Sequence, residues 1–336
     1  MPAKQLPIVE LSQMTPGQEA DLFVLMSVKE ELKTRDGKPY FRVGFRDAAR
    51  EVVFPVWGDS TWAIECREGW QPGQFYKLRA EYRESNYGPQ LEIRKIRPVN
   101  DADRADGFDS AMCQPRSRFD AVTMFNELVS IAREQIANAP LSALVVGILE
   151  ANRETLLTLP AASRNHHAFA AGFLEHVLSV TRTAVYLAGK YADYYSTLNP
   201  TLRADLVVAG AILHDIGKVR ELVQHPAGAD YSPEGHLIGH ILQGRDIVRE
   251  ASATHPLDPD TLLRLEHIIV SHQRLAEWGS PKPPMTPEAL IVHYADDLDA
   301  KFHMMAAILR DDQTPGPTTS KKNVLMQQVF RGLEGA

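Results

Sequence analysis

The stretch "GAILHDIGKVREL", from Gly210 to Leu222, joins a run of small and apolar residues to a histidine directly beside an aspartate, His214 and Asp215. Such a run is typical of a helix that is buried on all sides. A buried carboxylate costs several kcal/mol unless a positive charge lies close to it, and a metal ion would provide that charge. The stretch therefore predicts an interior helix that ends at a metal-binding pair.

Helical periodicity extends on both sides of this stretch, from Phe119 to about Arg310. Apolar residues recur there at the spacing of one helix face. The candidate helices lie near residues 119–138, 141–158, 167–195, 202–215, 234–251, 260–272 and 287–309. We predict an all-α domain over residues 119–310, followed at 311–336 by a flexible tail in which "VLMQQVFRGL" is a candidate short helix.

The first hundred residues follow a different pattern, because apolar and polar residues alternate from Glu19 to about Val99. Alternation of this kind predicts about five short strands, and the breaks between them carry turn residues such as Asp36-Gly37. Five mostly meandering strands favour a small barrel, of which the oligonucleotide-binding (OB) fold is one kind. We predict a multidomain chain: an all-β OB-like barrel over residues 1–100, a linker over 101–118 rich in Asp, Ser and Pro, and then the helical domain.

Composition limits the functions that the chain can have. Lys and Arg number 36 against 43 Asp and Glu, for a net charge of −7, so any contact with nucleic acid needs a local basic surface. Only two cysteines occur, Cys66 and Cys113, without CxxC spacing, which fits a reducing compartment and excludes a thiolate zinc cage. Neither a leader segment nor an apolar run of roughly 18 residues is present, so we expect a cytoplasmic protein without a membrane segment.

Four residues at separated places in the helical pattern have the chemistry of metal ligands. They are His176 in "GFLEHVLSV", the pair His214 and Asp215, and Asp296 in "IVHYADDLDA". Each has apolar neighbours, so packing the helices together would bring imidazoles and carboxylates into one interior site that suits a divalent metal. Taken singly, each is better explained as a core histidine or a capping aspartate than as a ligand, and only the set favours a metal site.

The order of these residues resembles the HD-domain metal-dependent phosphohydrolases, whose pattern is H…HD…D. In that family the adjacent His and Asp are both ligands, and the aspartate can bridge two metals. Asp297 and Asp299 compete with Asp296 as the last ligand, but the three cannot all face one site because they spread around a helix. The resemblance favours Asp296, and we expect Asp299 to lie behind the ligands or on the surface.

A second group of residues is assigned by the same resemblance, in which some members bind a second metal through further histidines. His240 in "EGHLIGHILQG" and His272 in "IIVSHQRL" are the candidate ligands, but the His-His pair of those members is His272-Gln273 here, so the number of ions stays open. Lys218 is a candidate to meet a phosphate or to balance the acidic cluster, or else a solvated lysine at a helix end. His167 is a candidate to position phosphate or donate a proton, and His166 beside it is another; both are equally explained as structural histidines. Asp215, Lys218 and His167 are thus the catalytic candidates.

Aromatic residues lie close to basic ones in the predicted barrel, which is how OB barrels stack the bases of single strands. About half of these aromatics must point into the core, and Phe23, Phe45 and Phe54 are expected there. The residues predicted to bind substrate are Lys38, Tyr40, Trp57, Tyr82 and Tyr87 in the barrel and Trp278, as a platform for a terminal base, in the helical domain.

The order of parts resembles the YhaM-type 3′ to 5′ exoribonucleases from about Asp21 to Phe302. The matching segments are "HHAFAAGFLEH", "AGAILHDIGKVREL", "EGHLIGHI" and "SHQRLAEWGSPKPPMTPEALIVHYADDLDAK". The resemblance implies hydrolysis of single-stranded RNA, with single-stranded DNA as a second substrate, and release of nucleoside monophosphates. It also implies a divalent cofactor, with Mn²⁺ first and Mg²⁺, Fe²⁺ or Co²⁺ as alternatives.

Two other interpretations stay open at this level. An HD phosphohydrolase could act on small or cyclic nucleotides, with the barrel serving assembly. A binding protein could retain the metal site for structure alone. Homo-oligomers are compatible with all three interpretations.

Overall fold

A computed structural model describes residues 6–85, 88–162, 167–225 and 228–333. The chain divides into two compact units, one of Met1–Arg116 with His225–Gly228 and one of Ser117–Gln224 with Ala229–Ala336. Each unit has its own hydrophobic core.

The first unit is built on a five-stranded antiparallel sheet in the order β3-β2-β1-β4-β5. The strands are β1 (Glu19–Lys33), β2 (Pro39–Arg46), β3 (Glu51–Trp57), β4 (Phe75–Ser85) and β5 (Gly88–Pro98), with helix α1 (Ala63–Gly69) between β3 and β4. Strand β1 is long enough to pair with β4 through its first half and with β2 through its second, and β3 contacts β5. This strand order, with a helix after the third strand, is that of an OB-like barrel, so the predicted strands and barrel are confirmed.

Alternation of side chains separates the barrel core from its outer surface. Phe41, Val43 and Phe45 of β2 are buried, whereas Tyr40 before them and Arg42 between Phe41 and Val43 face outward. The hairpin between β1 and β2 turns at Gly37, whose φ of 79° lies in the left-handed region that favours glycine. Sequence alternation and turn chemistry therefore fix the same register.

Residues 101–116 belong to the barrel unit, although their composition predicted a linker. Asp103 is buried and accepts two hydrogen bonds from the Arg97 guanidinium, at 2.6 and 2.7 Å. The ring of Phe108 packs against those of Phe23 and Phe75, with centroids 5.2 and 5.4 Å apart. These few anchors hold the segment to the barrel, and a composition dominated by small polar residues does not reveal them.

The second unit is a bundle of helices. They are α2 (Ala121–Gln135), α3 (Ala139–Ala151), α4 (Arg153–Leu156), α5 (Gly172–Tyr194), α6 (Ala204–Leu213), α7 (Lys218–Glu221), α8 (Pro233–Leu237), α9 (His240–Ser252), α10 (Pro259–Ser271) and α11 (Pro287–Asp311). Several begin at a side-chain cap, as where Asp120 accepts from Thr123 N and Asp258 from Thr261 N. Helix α6 is buried from Leu206 to Leu213 and lies at the centre, where α5, α10 and α11 pack on it.

Two features of the second unit differ from the prediction. A two-stranded sheet, β6 (Leu222–His225) with β7 (Gly228–Tyr231), lies between α7 and α8 in a part of the chain that is otherwise helical, and this sheet was not predicted. Strands of four residues are too short for their alternation to be recognised. In the described part of the tail, residues 312–333 form no helix, and a single bridge joins Thr318 to Phe330. None of the described helices has the length and apolar character needed to cross a membrane.

Candidate functional site

Three helices bring four of the predicted ligands to one place in the bundle. His176 lies on α5, His214 and Asp215 directly follow the buried helix α6, and Asp296 lies on α11. His176 Nε2 is 3.2 Å from Asp296 Oδ1 and 3.4 Å from His214 Nε2. His214 Nε2 is 3.6 Å from Asp215 Oδ2, and all four side chains are buried. Two ligands about 2.1 Å from a shared ion stand at roughly such separations, so these atoms form a donor cluster.

A second cluster uses the other oxygen of the same aspartate. Asp215 Oδ1 is 3.3 Å from His240 Nε2 and 3.5 Å from His272 Nε2. His240 is the first residue of α9, and His272 follows the last residue of α10. The structure thus brings all six residues predicted as metal ligands together, with Asp215 between two groups of donors.

Close backbone approaches at glycines make this convergence feasible. A Cβ on Gly217 would lie 1.9 Å from the carbonyl oxygen of His240, so only glycine lets the chain after Asp215 meet the start of α9. A Cβ on Gly210 would lie 2.6 Å from a methyl carbon of Ile268, which is how α6 and α10 come close enough to align His272 with Asp215. The glycines of the opening motif therefore serve the geometry of the site.

The side chains of the two clusters fit a divalent metal, because some of their buried polar atoms lack a hydrogen-bond partner among the described residues. Asp215 Oδ1 and His240 Nε2 are buried, and neither has a hydrogen-bond partner among the described residues. Burying unsatisfied polar atoms is costly, and a cation between them would satisfy both. The Nδ1 atoms of His214 and His272 each contact a backbone carbonyl oxygen at 2.8 Å, of Ala211 and Ile269, so each Nε2 presents its lone pair to the cluster.

The pKa values in the cluster follow from burial and from its carboxylates. Burial lowers the pKa of His214 to about 4, which keeps that imidazole neutral. Burial also acts on His176 and His240, but Asp296 and Asp299 around the first and Asp215 and Glu221 around the second raise each pKa to about 9. These two histidines are protonated when no cation is bound, so metal binding would displace a proton from each of them.

The carboxyl of Asp215 is ionised despite its burial. Burial alone would raise its pKa, but the charge of Lys218 and the neighbouring imidazoles hold that pKa well below its usual range. Lys218 is itself buried, with Nζ 2.5 Å from Asp215 Oδ2. It is therefore not a solvated lysine at a helix end, and its ammonium balances the charge of the shared aspartate.

His167 forms a further group of possible metal donors with His176 and Asp299, a group that does not include Asp215. Its Nε2 is 3.3 Å from Asp299 Oδ2, and its ring packs on His303 with centroids 3.9 Å apart. His166 lies outside the described residues. His236 is exposed, with its ring 5.2 Å from that of Tyr231.

Two carboxylates that were not predicted as functional contact the clustered histidines. Asp299 Oδ2 is 2.8 Å from His176 Nδ1, and Asp299 also accepts from the Ser179 hydroxyl. Glu221 Oε1 is 2.9 Å from His240 Nδ1 and accepts from the His240 backbone N–H at 2.9 Å. Asp299 lies behind the ligands, as expected, whereas nothing in the residue pattern singled out Glu221.

A cavity of about 550 Å³ opens beside the second cluster. Its polar wall includes Lys218, Glu221, His240 and Gln273. Tyr231 and Trp278 add aromatic surface, and the Trp278 side chain is 47% exposed, with Lys301 Nζ 5.9 Å from the ring centroid. The cavity thus combines metal-binding groups with an aromatic platform.

The barrel residues predicted to bind substrate fall into three groups. Tyr40 and Trp57 form an outward cross-strand pair with ring centroids 5.4 Å apart, Trp57 is 49% exposed, and Lys38 is exposed in the adjoining hairpin. Tyr82 is only 5% exposed within the barrel core, with the Arg50 guanidinium 4.9 Å from its ring centroid, so it does not offer a face to a base. Tyr87 lies outside the described residues.

Comparisons with known proteins give a family match in the helical part of the chain and similar solved structures. Residues 173–301 match the HD domain family. Among solved structures, a domain of replication protein A from Methanococcus maripaludis is similar with 7% identity over 28% of this chain and 97% of that one, at a TM-score of 0.23. The second OB-fold domain of the same protein is 12% identical over 28% and 96%, at a TM-score of 0.22.

The HD match covers α5 to α11, the part of the chain that carries the six clustered ligands. The barrel assignment follows from the strand order of the first unit. The chain therefore consists of an OB-like barrel followed by a helical domain that matches the HD family over residues 173–301, and this match indicates a metal-dependent phosphohydrolase.

Proposed function

We propose that this protein is a metal-dependent 3′ to 5′ exoribonuclease that hydrolyses single-stranded RNA, with single-stranded DNA as a second substrate, and releases nucleoside monophosphates. The observation that carries the proposal is the pair of donor clusters sharing Asp215 beside an open cavity with an aromatic wall. Metal ions held by the first feature can activate water for attack on phosphorus, and the second feature can bind a nucleotide base.

The residues divide the work between holding the cofactor and holding the substrate. His176, His214, Asp215 and Asp296 would hold one ion, and Asp215, His240 and His272 a second. A bound divalent ion supplies a Lewis acid and lowers the pKa of its water, which makes hydroxide available near neutral pH. Lys218 keeps Asp215 charged, and we assign His167 to fixing the Asp299 carboxylate.

The cavity has the size and the chemistry for one terminal nucleotide. Its volume of about 550 Å³ lies within the range of small-molecule sites, roughly 300 to 1,000 Å³. The exposed face of Trp278 would stack the terminal base, and base stacking of this kind tolerates any sequence. Attack on the last phosphodiester would then release one nucleotide at a time.

The barrel is proposed to hold the strand. Tyr40 and Trp57 offer adjoining rings on the outer face of β2 and β3, and the exposed Lys38 is in reach of a phosphate there. Stacking on exposed aromatics with cations along the backbone is the general mode of single-strand binding. Affinity should fall as salt rises, because phosphate contacts release counterions.

We place manganese first as the cofactor, with magnesium, iron and cobalt as alternatives, since the donors are imidazoles and carboxylates without a thiolate. A cytoplasmic location is supported by Cys66 and Cys113, which are both free and buried. Homo-oligomers are compatible with the proposal.

The experiment is product analysis on RNA labelled at the 3′ or the 5′ end, incubated with Mn²⁺, Mg²⁺, Fe²⁺ or Co²⁺. The proposal expects immediate release of labelled mononucleotide from the 3′ label and a descending ladder from the 5′ label. Asp215→Ala should abolish the release of mononucleotide and the ladder while leaving RNA binding unchanged. Persistence of both substrates, or internal cuts alone, contradicts the proposal.

A second candidate function is hydrolysis of small or cyclic nucleotides, because the cavity holds about one nucleotide. Faster hydrolysis of a mononucleotide than of any oligomer in the same assay would favour it. The two functions are therefore separated by one set of reactions.

A further inference from the structure

Each donor cluster contains one histidine whose outer nitrogen contacts a carboxylate. In the first cluster this is His176, 2.8 Å from Asp299, and in the second it is His240, 2.9 Å from Glu221. The other histidine of each cluster, His214 or His272, has its outer nitrogen on a backbone carbonyl instead. The two clusters thus repeat one pattern around the shared aspartate.

A carboxylate behind a ligating histidine has two effects on metal binding. It accepts the Nδ1 proton, which leaves the Nε2 lone pair for the ion and fixes the ring plane. Its negative charge also makes the imidazole a stronger base and hence a stronger ligand. A backbone carbonyl also accepts the Nδ1 proton and fixes the ring, but it adds no negative charge. In each cluster, the histidine that contacts a carboxylate is therefore the one whose strength as a metal ligand is increased by a neighbouring charge.

Both carboxylates are themselves held in place. Glu221 is buried at the end of α7 and accepts from both the side chain and the backbone N–H of His240, which fixes the first residue of α9. Asp299 accepts from Ser179 on α5 and contacts His167 Nε2 at 3.3 Å. Neither carboxylate has to move to perform this role.

We propose that Glu221 and Asp299 are positioning residues for two different metal ions, Glu221 acting through His240 and Asp299 through His176. The inference rests on the metal-dependent part of the proposed function and is independent of the direction or substrate of cleavage. It assigns each carboxylate a role at a different donor cluster, although the two clusters share Asp215.

The test is calorimetric titration of Mn²⁺ into metal-free full-length protein, with bound manganese counted by elemental analysis. Wild type should bind two ions. Glu221→Gln should weaken one binding event about 10- to 100-fold, and Asp299→Asn should weaken the other event by a similar factor. Glu266→Gln is the matched control, because Glu266 is a buried carboxylate of the same unit that pairs with Arg249 and contacts no ligand; it should leave both events unchanged.

A double-variant comparison separates positioning from a general structural effect. In a His240→Ala background, adding Glu221→Gln should change manganese affinity no further, because its effect passes through His240. In the same background, Asp299→Asn should keep its full effect. Circular dichroism of each metal-free variant checks that it is folded, and the charge-retaining variants Glu221→Asp and Asp299→Glu should recover part of the affinity where the amide variants lose it.

Three results would overturn the assignment: one ion in wild type, equal weakening of both events by either variant, or full additivity with His240→Ala. If the metal effects are absent while RNA is still degraded, the positioning roles fail alone. If the metal effects are present while RNA persists, the exoribonuclease proposal fails alone.

Discussion

Replacing Lys218 by methionine should destabilise the metal-free protein and should cost much less once a divalent ion is bound. The Lys218 ammonium is buried 2.5 Å from Asp215 Oδ2, and methionine keeps most of its volume while removing its charge. Removing one partner of a buried ion pair costs about 3 to 5 kcal/mol, because the other charge is left in a poorly solvated place. A bound cation would supply the missing charge.

The structure reduces that cost for the metal-free state. His240 Nε2 is 3.3 Å and His176 Nε2 3.7 Å from the Asp215 carboxylate, and a pKa of about 9 for each means that both are protonated at pH 7. Their charges offset part of the loss, so we expect a cost of about 2 to 3 kcal/mol. For a unit of this size, that is a fall of about 4 to 12 °C in unfolding temperature.

The assay is thermal unfolding of wild type and Lys218→Met in chelator and in excess Mn²⁺. The variant should unfold earlier in chelator, and manganese should bring the two proteins to within about 1 kcal/mol of each other, because binding to the folded state alone is stabilising. Lys301→Met is the matched control, since its pair with Asp297 at 2.8 Å is exposed and contributes no more than about 1 kcal/mol. An equal fall with and without manganese would refute the reasoning.

The remaining predictions concern the barrel unit. Trp57→Ala should weaken single-stranded RNA binding about 5- to 100-fold, which is the loss expected for one stacked base. Ile64→Ala, which removes another exposed apolar side chain, should leave RNA binding unchanged. Fluorescence anisotropy measures the affinity of both variants, and equal effects contradict the stacking role of Trp57. Asp103→Asn should destabilise the protein by about 1 to 2 kcal/mol at pH 7. The hydrogen bonds from Arg97 hold the Asp103 pKa well below its ordinary value, so this stabilisation is complete above about pH 4 and fades as acid protonates the carboxyl; a difference in unfolding temperature that does not narrow from pH 7 to pH 3 contradicts it.

Much of the fold was predictable because the first hundred residues show the two-residue alternation of strands and the residues after Phe119 show the spacing of helices. The strands of the barrel follow from alternation, and the seven predicted helices follow from helical spacing within a few residues at most of their ends. The predicted helices at 141–158 and 234–251 are each divided in two in the structure, and the one-turn helix α7 was not predicted. The short hairpin of β6 and β7 was missed because four residues carry too little pattern. The composition of residues 101–116 indicated a linker, but the contacts of two residues, Asp103 and Phe108, attach this segment to the barrel unit.

The candidate site was predictable where a residue type stood out against its neighbours. His176, His214 and Asp215 are conspicuous among apolar neighbours, whereas the resemblance to HD domains singled out His240 and His272 and favoured Asp296 over Asp297 and Asp299. The structure brings all six predicted ligands together. Glu221 was missed because a glutamate beside charged residues looks like an exposed side chain. Tyr82 was misplaced although its alternation with Tyr76, Leu78 and Ala80 along β4 marks it as a core residue, and that signal was available.

The most direct test of the account is a crystal structure grown with Mn²⁺, with data collected to show the anomalous scattering of manganese. We predict a peak about 2.1 Å from Nε2 of His176 and of His214 and in bonding contact with the carboxylates of Asp215 and Asp296. Manganese bound only at other places on the protein, with no peak among these four side chains, would contradict it.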